Sequence, residues 1–429
     1  MIQTNAKNEL TLDIDALSYG PYGIGRHEGK AVMVPKTVPG DTVAARIVEA
    51  KERYSVGEIV RLMKPSALRQ DPPCPYVAQC GGCPWQQVRY EPQLSAKQKS
   101  VEDALRRIGK LEGFELRPII PAPFTYNYRR RIRLQRDAAK RLGFFSSFSH
   151  NLIEIDSCLI ADEKLNRLLG PLRYWSEEVV TDVEHLELVT GDKPNQTVIV
   201  GQSAGRFISR DSSICERLLK DNQLINGLIL RGAEWRRTWG EAAISIVPEE
   251  GLCVRVDADV FTQINSQGNR RLLNELLAAA EFHGDDRVLE LYSGAGNFTL
   301  PIAKRVIDIA AVEGYRPAIE SGKHSAQLNG VANIHWICSP VPTALAQLKK
   351  CRERFSKIVL DPPRTGAKGI EHDLAALQAE KILYISCNPT TLARDLAALA
   401  KQGYSLRTVQ PMDLFPHTFH VETIATLVR

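Results

Sequence analysis

The chain has 429 residues, with 55 Lys and Arg against 50 Asp and Glu, 44% hydrophobic residues, 24% charged residues and nine cysteines. At roughly 150 residues per domain that length predicts two or three domains, and the balance excludes disordered, collagen-like and disulfide-stapled chains. No apolar run approaches the roughly 18 to 20 residues of a membrane span. The N-terminal MIQTNAKNELTLDID lacks a signal-peptide core, so a soluble cytoplasmic protein is expected. There, an odd cysteine count argues against a structural disulfide set and leaves metal ligation, catalysis or burial.

Residues 9 to 63 alternate apolar and polar positions in ELTLDIDAL, AVMVP, DTVAARIVEA and VGEIVRLM, punctuated by glycines. Five or so short strands with glycine turns predict an OB-like β-barrel, an architecture that often binds oligonucleotides. Cys74, Cys80 and Cys83 then fall within ten residues of a Pro- and Gly-rich loop, and Cys158 is the only other cysteine before Cys215. Thiols so clustered suit zinc or, with four ligands, a cubane iron-sulfur centre. Glu91 to Gly109 places Leu94, Val101, Leu105 and Ile108 near helical spacing and ends on glycine, which predicts an amphipathic helix.

The net charge of +5 is unevenly spread, since residues 91 to 150 carry 13 basic and 6 acidic side chains. Arg129, Arg130, Arg131, Arg133 and Arg136 stand beside Phe124, Tyr126, Tyr128, Phe144 and Phe145. Guanidinium groups neutralise phosphates and aromatic rings stack on unpaired bases, so the run reads as an RNA contact surface. The competing reading is a strand with a solvated basic face and Ile132 and Leu134 turned inward. Residues 115 to 250 otherwise mix strand-like and helical runs without a readable motif.

From about residue 268 strands alternate with helices: RVLELYS, NFTLPIAKRV, IDIAAVEG, KIVLDPP, KILYISCNP and VETIATLV. That pattern predicts a doubly wound, mostly parallel α/β sheet. The turn S-G-A-G-N-F after the first strand lets backbone approach a ligand, and Glu313 at the end of the next strand can accept ribose hydroxyls. Because Leu300 replaces the last glycine of a dinucleotide motif, an adenosyl cofactor without pyrophosphate fits better than NAD. Asp361, before Pro362 and Pro363, and Cys387 in S-C-N-P stand at the ends of two further strands. A helix N-terminus next to Cys387 is expected to lower its pKa and make it a nucleophile. Glu422, at the start of the last strand, becomes a candidate general base if burial raises its pKa.

With C-x5-C-G-G-C, F-x-Q-I-N (Phe261 to Asn265), G-x-G-N-F, D-P-P-R, S-C-N-P and P-H-T-x-H-V-E in this order, the sequence resembles the RNA uracil-C5 methyltransferase family. Within it, the chain is most similar to the branch with a TRAM domain and an iron-sulfur cluster, typified by bacterial 23S rRNA uracil methyltransferases. The resemblance implies a Rossmann-like methyltransferase domain (91–123 and 261–429), an OB-like TRAM barrel (1–63) and a central α+β domain (64–90 and 124–260). It implies Cys387 as nucleophile and Glu422 as base, with Gln263, Tyr292, Asn297, Glu313 and Asp361 at the S-adenosylmethionine site. Cys74, Cys80, Cys83 and Cys158 would ligate a [4Fe-4S] cluster. Tyr292 is a mild departure from the family pattern. Pro340 is a larger one, because proline cannot make the adenine contact that the family usually makes there with Asn or Asp. The expected substrate is RNA, 23S rRNA first and tRNA second, acted on by a monomer; the contrasting reading is a non-catalytic RNA-binding protein of the same fold.

Overall fold

The computed structural model describes residues 9–429, so residues 1–8 of the expected barrel span lie outside the described residues. Five strands close a barrel in the order Glu9–Leu17, Tyr22–His27, Lys30–Pro35, Tyr54–Lys64 and Thr42–Ala50. Alternation along the strands sends Leu12, Ile14, Val32, Val34, Val43 and Ala45 into one small core. Closure also leaves the barrel no open sheet edge.

The C-terminal half builds an eight-stranded sheet. Its order is Ile334–Cys338, Asp308–Glu313, Arg287–Leu291, Lys357–Leu360, Lys381–Ser386, Glu422–Val428, Ser405–Met412 and Glu115–Leu116. The first five are parallel, whereas Glu422–Val428 runs antiparallel to both neighbours. The runs VLEL and KIVL are buried throughout, as strands covered by helices on both faces must be. Strand order reverses between Arg287–Leu291 and Lys357–Leu360, which opens a crevice at their carboxyl ends. Since Ser386 pairs with Thr423, the antiparallel strand starts at that same edge.

Between barrel and sheet lies a seven-stranded, mixed sheet, ordered Arg236–Gly240, Gly227–Arg231, Thr197–Ser203, Val183–Thr190, Arg131–Arg136, Leu142–Phe145 and Leu152–Ile153. Most guanidinium groups of the arginine run are engaged within the protein, which favours the competing reading of the run, although the Arg133 side chain stays 55% exposed. Arg130 pairs with Asp192, Arg131 and Arg133 share Glu187, and Arg136 donates to the Ser176 and Val179 carbonyls at 2.9 and 3.1 Å. Ile132 and Leu134 point into the core as the competing reading requires. Among the described residues no helix is long and apolar enough to cross a membrane.

The helix Tyr90–Asp103 continues through a π-helical turn, Ala104–Ile108, to Gly109. Its buried face differs from the expected apolar stripe: Ile108 is exposed, and Gln93 and Lys97 are buried with Val101 and Leu105. The reason is a partner that lies outside the helix. Lys97 Nζ donates to Asp413 at 2.6 Å and to the Phe415 carbonyl at 3.0 Å, with both charged side chains fully buried. Removing one member of a buried pair strands the other, so Lys97→Met should cost about 3–5 kcal/mol in urea unfolding. Lys97→Met combined with Asp413→Asn should recover most of that loss; an additive double variant would show that the two residues are not coupled.

Candidate active site

The crevice starts at a backbone turn. After Leu291 the chain takes positive φ at Tyr292 (63°), Gly294 (56°) and Gly296 (93°). A φ of 93° at Gly296 favours glycine there, and a Cβ would in addition crowd Leu300 Cδ1 at 2.6 Å and the Trp336 ring at 3.1 Å. Glu313 accepts from the Gly294 and Tyr315 backbone amides at 3.1 and 2.8 Å, which holds its carboxylate at the turn.

Local capping places the nucleophile candidate. Asn388 caps the helix Pro389–Ala400 by accepting from the Thr390 amide at 3.0 Å, and Pro389 occupies the first turn, where no amide bond is lost. The same Asn388 donates to the Arg364 carbonyl at 3.2 Å, tying S-C-N-P to D-P-P-R. Asn265 does similar double duty. It caps the helix Ser266–Ala280 through the Gly268 amide and donates to the Leu414 carbonyl, both within 2.9 Å.

Gln263, Tyr292, Glu313, Asp361, Cys387 and Glu422 line one cavity of about 640 Å³. Gln263 Nε2 lies 3.5 Å from Asp361 Oδ2. Asn297 instead lines a smaller adjoining recess, and its amide is paired reciprocally with Asn269 at 2.7 and 2.9 Å. Pro340 caps the helix Val341–Lys350, while Tyr315 and Ala318 form part of the cavity wall near Glu313.

Burial dominates the electrostatics. It pushes the Asp361 carboxyl up to about 7. Burial, reinforced by Asp361 and opposed by Arg364, raises Glu422 well above the usual carboxylate range. Glu290, sealed in the strand below, is raised to about 8, chiefly by burial. The Cys387 thiol is pushed up to about 11, first by burial and then by Glu422, with Arg364 pulling the other way. This corrects the expected lowering by the helix terminus: proline at its start presents no N–H to the sulfur, and burial beside carboxylates outweighs the dipole.

Two contributors had little or no signal in the sequence. Arg364 lines the cavity within reach of Cys387 and contacts His420 Nε2 at 3.3 Å; its only clue is membership of D-P-P-R. Tyr19, in a turn of the barrel, donates to the Cys387 carbonyl at 2.8 Å and packs edge-on against Phe419. Nothing near Tyr19 in the sequence announces a partner so distant.

The four clustered cysteines line a separate chamber of about 200 Å³ with Ile132, Ile155, Ile160 and Phe144 among its walls. The Gly82 amide donates to Cys80 Sγ at 3.4 Å, Gln86 Oε1 accepts from the Cys74 amide at 3.1 Å, and buried Gln86 Nε2 has no partner. Among the described residues, no three His, Cys, Asp or Glu side chains are grouped so as to hold a metal ion. What the structure does bring together is four thiols facing one chamber, with the unpartnered Gln86 amide beside it.

A mostly parallel sheet with this switch point, a glycine turn and a carboxylate at the end of the next strand defines a ligand-binding doubly wound α/β domain, here joined to a small barrel. A family model described as tRNA (Uracil-5-)-methyltransferase matches residues 89–429, and one described as TRAM domain matches residues 6–60. The 23S rRNA (uracil(1939)-C(5))-methyltransferase RlmD of Pectobacterium atrosepticum is 31% identical, over 99% of this chain and 94% of its own length. The RlmD of Mannheimia succiniciproducens is 33% identical over 97% and 95%. The crystal structure of Pyrococcus abyssi tRNA (uracil-54, C5)-methyltransferase with S-adenosyl-L-homocysteine has the same fold, with a TM-score of 0.75, 23% identity, and coverage of 98% of this chain and 100% of that one. The chain belongs to the RNA uracil-C5 methyltransferase family.

A thiol raised to about 11 is mostly protonated at neutral pH, and its thiolate fraction grows about tenfold per pH unit below that value. Iodoacetamide labelling of Cys387, followed on its own peptide by mass spectrometry, should accelerate about tenfold per pH unit, so nearly a hundredfold between pH 8 and 10. Arg364→Gln should slow labelling at each pH; an equal or faster rate would remove Arg364 as the thiolate's partner.

Proposed function

We propose that this protein transfers a methyl group from S-adenosylmethionine to C5 of a uridine in RNA, with Cys387 as nucleophile and Glu422 as base. The observation that carries this reading is one cavity lined by a thiol, two carboxyls of raised pKa, the Gln263 amide and the Glu313 carboxylate. Uracil C5 is too weak a nucleophile to act unaided. Cys387 Sγ bonds to C6, and the electrons of the C5–C6 double bond make C5 enolate-like. Bound S-adenosylmethionine supplies an electrophilic methyl group. Glu422 then takes the C5 proton, the C5–C6 double bond reforms and the Cys387 Sγ–C6 bond breaks. Arg364 favours the thiolate at both ends of the cycle, and Gln263 and Asp361 present donors and acceptors to the bound groups. Glu313, Tyr292 and, from the recess, Asn297 are assigned to the cofactor side.

For the RNA, 23S rRNA is favoured by full-length likeness to two rRNA enzymes. A tRNA target is the second reading, favoured by the family description and the archaeal structure. We assign the barrel (1–63) and the central part (64–90 and 124–260) to RNA capture, and 91–123 with 261–429 to methyl transfer, in a cytoplasmic monomer. Cys74, Cys80, Cys83 and Cys158 are assigned to a [4Fe-4S] cluster, a reading supported by their shared chamber, the amide on Cys80 Sγ and the free Gln86 amide.

Cys387→Ala should abolish methylation of cellular RNA while cofactor affinity stays within about twofold; full activity would sink the mechanism. Glu422→Gln should accumulate a covalent RNA adduct, seen as a gel-shifted band, because the C5 proton is no longer removed. Mapping 5-methyluridine in rRNA and tRNA from cells with and without the gene decides between the two targets. Anaerobically purified protein should contain iron and acid-labile sulfide, and zinc without sulfide would overturn the cluster.

A further inference from the structure

The cysteine loop is a wall between two cavities. One side faces the thiol chamber; on the other, Cys80 and Cys83 join Pro21, Lys36, Phe148 and Phe419 around a groove of about 190 Å³ that no step of the reaction uses. Phe148, at 69% exposure, lies over Tyr22 of the barrel with ring centroids 5.8 Å apart and planes 24° apart. Two rings lie nearly flat on each other at the edge of an apolar slot, and no carboxylate lines the slot among the described residues. Lys36 supplies a cation on the barrel side, where it donates to the Ala78 carbonyl.

The groove is connected to the catalytic cavity through aromatic contacts. Phe419 packs edge-on against Tyr19, 5.6 Å between centroids, and Tyr19 holds the Cys387 carbonyl. Phe419 also lies 4.2 Å from the ring of His420, which meets Arg364 at the cavity. A uridine drawn into that cavity has to leave its stack, so its neighbours on the strand lose stacking partners as well.

We propose that this groove receives an unpaired nucleobase of the substrate RNA, near the target uridine on the same strand, stacked on Phe148 with Lys36 beside its phosphate. The proposal rests on the RNA methyltransferase reading and adds a second base subsite to it. An apolar slot with a flat aromatic, a cation and no carboxylate matches a base with its phosphate. It also gives the cysteine loop a task beyond folding, because the loop that surrounds the thiol chamber forms the back of the subsite.

The test uses the full chain and unstructured RNAs of about twelve nucleotides, each with one 2-aminopurine near a central uridine. The native protein should bind and quench the probe at a limited set of positions. Phe148→Ala should weaken binding roughly 5- to 150-fold, the range for one stacked base, and abolish quenching. Phe148→Trp should restore both, and unchanged S-adenosylmethionine affinity in each variant reports an intact fold. If Phe148→Ala binds within about twofold of the native protein with quenching intact, the subsite is wrong. A native protein that methylates long RNA but does not bind these oligomers also overturns the subsite and leaves the activity standing. One that neither methylates nor binds RNA overturns both.

Discussion

Between its last two strands the chain passes residues 413 to 421 through the interior as irregular backbone, and buried amides and carbonyls there need partners that no strand supplies. They come from distant parts of the chain. Lys97 takes the Phe415 carbonyl, Gln93 the His417 amide, Asn265 the Leu414 carbonyl and Tyr128 the Pro416 carbonyl. The Trp85 amide donates to His417, which sits at φ 66° with its ring against Tyr126. Glu422 follows directly. The position of the candidate base is therefore set by the helix Tyr90–Asp103, the segment leading into the central sheet, the end of the cysteine loop and the F-x-Q-I-N segment together, and the Lys97–Asp413 pair is the anchor at one end.

The same burial sets the charge state of the cavity. Asp361, Glu422 and, beneath them, Glu290 all have carboxyls raised in pKa, because taking a charge out of water costs more than the single nearby guanidinium returns. A site in this state is short of positive charge. Under the proposed function, a sulfonium placed beside these carboxyls would favour their ionised forms and be stabilised by them, more than the neutral thioether left after transfer would be.

What could be read from the chain followed the range of the interaction involved. Strand-turn-helix units, the barrel and the motif residues are local patterns, and six of the seven catalytic and cofactor candidates meet at one cavity. Asn297 stands apart because its amide is engaged by Asn269, a contact that spacing does not encode. The arginine run was ambiguous because its charge partners lie over fifty residues away, Glu187 on a neighbouring strand and Asp192 in the bend after it. Gln93 and Lys97 broke the apolar stripe of their helix for a similar reason. The Cys387 shift went the opposite way because a dipole argument sees one helix end, whereas desolvation depends on every wall of the pocket.

The barrel, folded on its own core, looks like a detachable module. Tyr19 makes it otherwise: its hydroxyl holds a carbonyl 368 positions along the chain, on Cys387, the proposed nucleophile. A barrel lacking that hydroxyl at that turn would leave the Cys387 carbonyl without this partner. The linker joins two bodies in sequence, while the tyrosine joins them through the backbone of Cys387.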